Sequence, residues 1–349
     1  MSMKTAVILL NLGGPDNLTS VQPFLFNLFN DRFIISLPQP MRWLLAKFIS
    51  RKRTPKARAI YEKMGGRSSI VPQTQAQAVA LEKELSSFGD YKVFITMRYW
   101  HPMAPETVAQ VKNYNPDRII LLPLYPQFST TTTASSFRNW AVNASSLGQN
   151  LPTIKICCYH SDPNFISAYA DLTLNFYNQA AKHGKPRILF SAHGIPLNRV
   201  ANGDPYQWQV ERTVEAVIAK MGIADPDYAI CYQSRVGPLK WLQPSTEHEL
   251  KRTVHDGMPI VLVPISFVSE HSETLVELDI QYKDLVESLG GKHYFRVPTV
   301  RTHPQFIKGL ALLCQQATDS KCEMNLECCK RMVPAAGLEP ARAIKLHGF

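Results

Sequence analysis

Pro259-Ile260-Val261-Leu262-Val263-Pro264-Ile265 runs without a polar side chain, and shortly after it the chain reads Ser269-Glu270-His271-Ser272-Glu273-Thr274-Leu275-Val276-Glu277-Leu278-Asp279. A strand buried on both faces is continuously apolar rather than alternating, so the first stretch predicts an interior parallel strand. The second stretch then lies at its carboxyl end, where open parallel sheets bind ligands. One histidine and four carboxylates crowd those eleven residues. Their Glu-x-x-Glu-x-x-x-Glu spacing predicts that Glu270, Glu273 and Glu277 share one helical face. Like charges so placed repel, and a polar partner, most simply a cation, would offset the cost. The alternative is a solvated helix face at the end of a strand.

Seven further β-type runs occur: Thr5–Leu12, Lys92–Met97, Arg118–Leu124, Ile154–Tyr159, Arg187–Ala192, Asp227–Gln233 and His293–Pro298. Helical patterns fill the gaps. Val21, Phe24, Leu25, Leu28 and Phe29 recur at helical spacing, and Trp208–Met221 and Phe306–Cys314 read the same way. Alternating strand and helix means an α/β protein. Four runs precede His160-Ser161-Asp162-Pro163-Asn164 and four follow it. The expectation is therefore two similar Rossmann-like halves, each a doubly wound four-stranded parallel sheet, around a central cleft. They would span residues 1–162 and 163–320, with a closing helix around 303–318. The segment 321–349 is expected to be loose, since Val333–Phe349 shows no periodicity.

At 349 residues, with 45% hydrophobic and 19% charged, the chain can bury a sizeable core in about two domains. No stretch approaches the ~20 apolar residues that span a bilayer. Thr5–Leu12, ended by Gly13-Gly14-Pro15, is too short for a signal peptide, so a cytoplasmic protein is expected. Seven cysteines without a Cys-x-x-Cys pair argue against a secreted disulfide framework. The net charge of +10 clusters in part: Arg42, Lys47, Arg51, Lys52, Arg53, Lys56 and Arg58 occur with no acid among them. Leu44, Leu45, Phe48 and Ile49 fall on one helical face beside Trp43. That is the makeup of a helix lying on a membrane surface, or of a basic solvated helix with its apolar side in the core. Peripheral contact with an inner membrane is expected, and no nucleic-acid partner.

The unusual residues collect at the strand ends. Thr5–Leu12 leads to Gly13-Gly14-Pro15-Asp16, and Lys92–Met97 to Arg98-Tyr99-Trp100-His101. Arg118–Leu124 leads to Tyr125-Pro126-Gln127-Phe128-Ser129 and four threonines. Arg187–Ala192 leads to His193-Gly194-Ile195-Pro196, and Asp227–Gln233 to Ser234-Arg235-Val236-Gly237-Pro238-Leu239-Lys240-Trp241. Together with the acidic segment these describe a large aromatic-walled cleft. Taken singly, Tyr125 and Trp241 could as well be core residues and His193 a hydrogen-bonded structural histidine. Gly-x-Gly-x-x-Gly, Gly-x-Ser-x-Gly and His-Glu-x-x-His are absent, which weighs against dinucleotide binding, serine hydrolase and zinc protease chemistry.

The chain resembles the ferrochelatases, enzymes that insert ferrous iron into a porphyrin to make haem. The matching stretches are Leu9–Pro15, Gly65-Gly66-Arg67-Ser68, Leu122–Gln127, Ser191–Pro196, Tyr232–Pro238 and Ser269–Asp279, in the family's order. The resemblance implies protoporphyrin IX and ferrous iron as substrates, with two protons released. It implies that His193 and Glu273 are the catalytic and metal-binding pair, facing each other across the cleft. Glu270, His271 and Glu277 would form the supporting metal and proton path. Leu12, Arg53, Tyr61, Ser68, Arg98, Tyr99, Tyr125, Thr131, Trp241 and Phe267 would touch the macrocycle or its propionates.

The residue types suit such chemistry. A neutral histidine, with an ordinary pKa near ~6.5, can accept a pyrrole proton. Imidazole and carboxylate ligate Fe²⁺, and a site with few ligands can release it. Some ferrochelatases also carry a [2Fe–2S] cluster on one internal cysteine and three near the C-terminus. Here Cys322, Cys328 and Cys329 include an awkward adjacent pair, and the internal position is Thr130, so no cluster is expected. The alternatives are a chelatase for coproporphyrin or another divalent metal, or a protein that binds a porphyrin or metal without turnover. A metallohydrolase is a further alternative, without a motif.

Overall fold

The computed structural model describes residues 3–146, 151–235, 237 and 239–317. Eight strands form two all-parallel sheets. The first orders Tyr91–Met97 (β2), Thr5–Asn11 (β1), Arg118–Pro123 (β3) and Thr153–Lys155 (β4). The second orders Asp227–Gln233 (β6), Arg187–His193 (β5), Ile260–Val263 (β7) and Tyr294–Arg296 (β8). Each sheet thus repeats one strand order, with its two most apolar strands at the centre. All seven residues of β1 and all four of β7 are buried, while the outer strands β2, β4, β6 and β8 are only partly so. Sequence order reverses between β1 and β3 and again between β5 and β7, the switch points where such sheets open a crevice.

Three strands, β4, β7 and β8, are each shorter by three residues than the apolar runs predict, because proline supplies no N–H to a ladder. Pro259 and Pro264 bracket β7, and Pro298 follows β8. The run Ile154–Tyr159 pairs only over Thr153–Lys155. Beyond it the facing chain carries Pro123 and Pro126, and single bonds persist from Ile156 N to Leu121 O and from Tyr159 N to Pro126 O. Residues 156–159 stay buried as connecting chain.

Helices fill the crossovers. Asp162 caps Pro163–Ala180 by accepting from Asn164 N and Phe165 N at 3.0 and 2.8 Å. The final described helix, Pro304–Gln315, packs on Pro163–Ala180 and on Ile70–Leu85, which follows the first sheet's β1. A single apolar cluster consequently runs through both halves. It joins Val7, Leu9 and Leu122 to Ile188, Phe190 and Val261, with Phe306 and Leu310 between. The segment 321–349, with Cys322, Cys328 and Cys329, lies outside the described residues, as does residue 318 of the expected closing helix. Among the described residues no helix is long and apolar enough to cross a membrane.

Candidate active site

His193 is the last residue of β5, and Gly194 lets that end lie tight against β6. A Cβ on Gly194 would stand 2.8 Å from Gln233 O, which accepts Gly194 N at 2.9 Å. The His193 Nδ1–H donates to Glu273 Oε2 at 2.9 Å. Both side chains keep an open side, 38% and 29% exposed. The pair therefore comes from one half of the molecule and is in direct contact, so the expectation that the two face each other across the cleft is corrected. The reason is topological: β5 and β7 are neighbours in the second sheet, and the chain after β7 folds back over the end of β5.

The expected single helical face is also corrected. Only Ser272–Leu275 is α-helical, Val276 interrupts it, and Glu277–Tyr282 forms a π-helical turn. Glu270 precedes the helix. The acids divide among three sets of partners. Glu270 Oε1 accepts from Arg296 Nη1 at 2.6 Å and from Thr299 N at 2.9 Å. Asp279 takes the other fork of the same guanidinium. Glu273 has His193, with His271 Nε2 at 3.6 Å. Glu277 Oε1 accepts from Ser234 N and Tyr282 OH, both at 2.9 Å, and its Oε2 accepts from Ser234 Oγ. Ser234 sits at φ +61°, a left-handed conformation costly for a side chain that bears a Cβ, and it spends both donors on Glu277.

Electrostatics separate these groups. Burial alone would raise Glu273, but His193 and then His271 outweigh it and hold the carboxyl well below its ordinary range. Burial would lower His193, and Glu273, with a smaller contribution from Glu277, raises it instead. Glu277 is raised, chiefly by burial and then by Glu273, against the pull of Ser234 and Tyr282. For Glu270 burial pushes up, yet Arg296 and the surrounding donors hold the carboxyl low.

Phe267 and Trp241 lie close to the pair or to the residue after His193. The Phe267 ring centroid is 6.5 Å from that of His193 and 4.7 Å from that of His271. Trp241 bridges to Pro196, and its ring stands 3.5 Å from where a Gly194 Cβ would lie. Tyr125 is half-buried, its hydroxyl enclosed and unpartnered. Thr131 begins near Ser129, hydroxyl to hydroxyl 2.9 Å, in the π-helical turn Thr130–Ala134.

From the first half, Tyr61 is the penultimate residue of the long helix Met41–Glu62, and burial pushes its hydroxyl up to about 12 against a hydrogen bond with Ser272, next to Glu273. Leu12 packs in the same cluster as Tyr61 and Tyr99. Arg53 lies half-buried over the Phe29 ring at 5.5 Å. Ser68 is buried under Gly14, where a Cβ would come within 2.6 Å of Ser68 Cβ.

Two of the expected ring contacts are committed elsewhere. Arg98 Nη2 and Tyr99 OH both donate to Asp31 Oδ2, at 2.8 and 2.7 Å, and Tyr99 is 1% exposed. Asp31, with Ser135 on the same oxygen, was not legible as a hub from the sequence. Asp204 is another: it accepts from Ser129 Oγ, Thr130 N and Thr130 Oγ1, tying the loop after β3 to the second half. Both are single acids in otherwise irregular stretches, and no spacing announces their partners. Among the described residues no three His, Cys, Asp or Glu side chains gather as a metal cage.

The ferrochelatase family model matches residues 4–318. The chain belongs to the ferrochelatase family. It is 57% identical over 314 residues to the ferrochelatase of Wolbachia sp. subsp. Drosophila simulans (strain wRi), covering 89% of this chain and 99% of that one. It is 46% identical over 327 residues to that of Pelagibacter ubique (strain HTCC1062), covering 93% and 94%. Among solved structures, the multi-domain chelatase-like protein DR2241 of Deinococcus radiodurans superposes with a TM-score of 0.51 at 12% identity, over 91% of this chain and 56% of its own. That likeness concerns the fold. Membership of a family of metal–porphyrin chelatases makes the chain a lyase that handles ferrous iron as substrate, and it favours turnover over mere trapping.

Proposed function

We propose that the protein inserts ferrous iron into protoporphyrin IX to form haem b, and that the His193–Glu273 pair is the centre of the reaction. The observation that carries this is the 2.9 Å contact between two half-open groups at the end of β5, in a chain of this family. Insertion requires two pyrrole protons to leave as the iron enters. With Nδ1–H donated to Glu273, Nε2 is the ring nitrogen that can accept a proton, and Glu273 stabilises the imidazolium that results. The same atoms, neutral imidazole and carboxylate, are ligand types that Fe²⁺ accepts, and two of them release it more readily than a closed cage. Glu277 and His271 flank the pair and complete a route for the protons. Glu270, held by Arg296, stands outside that route. Trp241, Phe267, Tyr125 and Leu12 supply ring-contact area, and Arg53 a charge for a propionate. In this reading residues 1–162 and 163–320 act as the two walls.

The test is anaerobic incubation with Fe²⁺ and protoporphyrin or coproporphyrin, followed by the Soret band. His193→Ala and Glu273→Gln should bind porphyrin within about tenfold of wild type, ~1.4 kcal/mol. Their turnover should fall at least ~100-fold, the lower end of a general acid–base contribution. Near-normal insertion by His193→Ala would remove it from the mechanism.

The helix Met41–Glu62 supports peripheral membrane contact as part of the same reading. It buries its small and polar positions, Ala46, Ser50 and Thr54, and leaves Met41, Leu44 and Phe48 56%, 59% and 64% exposed. Exposed basic residues Arg51, Lys52, Lys56 and Arg58 continue the surface. Each contributes ~1 kcal/mol near an anionic bilayer, so flotation with anionic liposomes should succeed at low salt and fail at high salt. Equal recovery at both would refute it.

A further inference from the structure

Glu273 lies ten residues past the end of β7, on a helix of four residues. So short a helix cannot hold itself, and the strand is too far away to fix its position. Gln233 Nε2, at the end of β6, donates to Glu273 O at 2.9 Å and ties the helix to the second sheet, but the segment that leads into the helix must be placed as well. The helix Ile70–Leu85 of the first half places that segment through one polar face, Gln73 and Gln77 with the N-cap residue Ser69, spaced by four. Ser69 Oγ donates to Glu270 O at 2.7 Å, and Gln73 Oε1 accepts Glu270 N at 2.7 Å. Gln77, fully buried, makes three bonds. Its Nε2 donates to Val268 O at 2.8 Å and to Arg301 O at 3.0 Å, and its Oε1 accepts from Ser269 Oγ at 3.0 Å. Every residue from 268 to 270 is thus gripped by this one helix face. The next residue, His271, caps the helix that carries Glu273.

The other side of the same helix is fastened to the first sheet. Thr74 Oγ1 accepts from Asn11 Nδ2 at 2.9 Å, and Asn11 Oδ1 accepts Leu12 N at 2.8 Å. The helix therefore spans from the Leu12 side of the cleft to the acid-bearing segment. A carboxamide suits the task at 77 because it offers two donors and an acceptor without a charge, as two carbonyls and a hydroxyl demand, and glutamine carries it one methylene further from the helix than asparagine would.

We infer that Gln77, seconded by Gln73, is a positioning residue for metal insertion: it sets where Glu273 stands relative to the ring-binding half. The inference rests on Glu273 taking part in the reaction, which Glu273→Gln tests by itself. Misplacing a reacting group by about 1 Å can cost ~100-fold in rate, whereas ring affinity, made by contact area elsewhere, should hardly change. Gln77→Met keeps the length and removes all three bonds. In the full-length protein, with Fe²⁺ and protoporphyrin, its kcat should fall ~10- to 100-fold while the porphyrin KM stays within about threefold. The deciding measurement is the double variant with Glu273→Gln. If Gln77 acts through Glu273, the second substitution should cost less than about threefold in that background. Equal fold losses in the two backgrounds, or an unchanged kcat in Gln77→Met, would overturn the inference. Should Gln77→Met fail to fold, Gln73→Met, which deletes a single bond, goes through the same cycle with the same two outcomes read at smaller amplitude.

Discussion

Replacing Arg296 by methionine asks what the clustered acids need in order to coexist. Arg296 holds Glu270 at 2.6 Å and forks onto both oxygens of Asp279. The side chains are 13% exposed for Arg296, 6% for Glu270 and 32% for Asp279. Methionine fills much of the volume and removes the charge. Glu270 then keeps one donor, Thr299 N, and its Oε2 is already unpartnered. Breaking a buried ion pair from one side costs ~3–5 kcal/mol, while the more open Asp279 adds little because water replaces its partner. At ~2 °C per kcal/mol, the low end suited to a long chain, Arg296→Met should melt at least ~6 °C below wild type.

The pH dependence gives the result its sign. In wild type Glu270 is depressed, so it contributes stability above its unfolded pKa and loses it as pH falls through the folded one. In Arg296→Met burial persists and the attraction is gone, so the folded pKa rises above the unfolded value. The penalty then grows as pH climbs past ~4.3. Differential scanning calorimetry at pH 7 and pH 4 should show the larger deficit at pH 7, and Glu270→Gln in the same background should recover most of it. A variant melting within 1 °C of wild type at pH 7, or with equal deficits at both pH values, would refute this account.

Insertion rate should decline as pH falls through the raised pKa of His193, because imidazolium neither accepts a proton nor ligates iron. Glu273→Gln removes the main group that raises it, so the residual activity should show its acid limb moved to lower pH; an unmoved limb would separate the limb from His193. Glu277→Gln should shift it less, in the same direction. Gly194→Ala should cost ~1–3 kcal/mol of stability through its clash with Gln233 O, and lose activity by displacing His193; wild-type thermal stability and rate in that variant would show the close approach to be slack.

The strands were legible because the central ones are buried on both faces and are apolar through most of their length. Their ends were less so: proline withholds a donor, and the facing chain, not the run itself, decides where the ladder stops. His193 could be placed from its strand. The acids could not, because spacing predicted a regular helix, whereas Val276 breaks it and Arg296, from the next strand, draws Glu270 aside. The face Ser69-Gln73-Gln77 is not legible from the sequence either. Its period marks a polar helix side, which in isolation means solvent; only the packing of the second half against it turns that side inward. Partners that lie some 200 residues away leave no trace in local pattern.

The four acids of this segment thus divide between different partners within eleven residues. Two, Glu270 and Asp279, share one guanidinium and are spent on structure. Glu273 is kept ionised by imidazoles, the state needed both to receive a metal ion and to steady an imidazolium. Glu277 is bonded to hydroxyls and an amide and its pKa is raised, which favours a proton carrier over a metal anchor. Pairs of titratable groups pushed in opposite directions mark the division between acid and base in an active site. On the proposed reading the pair is Glu273 and Glu277, four residues apart, with His193 bonded to the first. A porphyrin that gives up two protons while iron arrives needs an ionised group at the metal and a protonatable one behind it. On the proposed reading, the opposed shifts of these two carboxyls would supply both within four residues of chain.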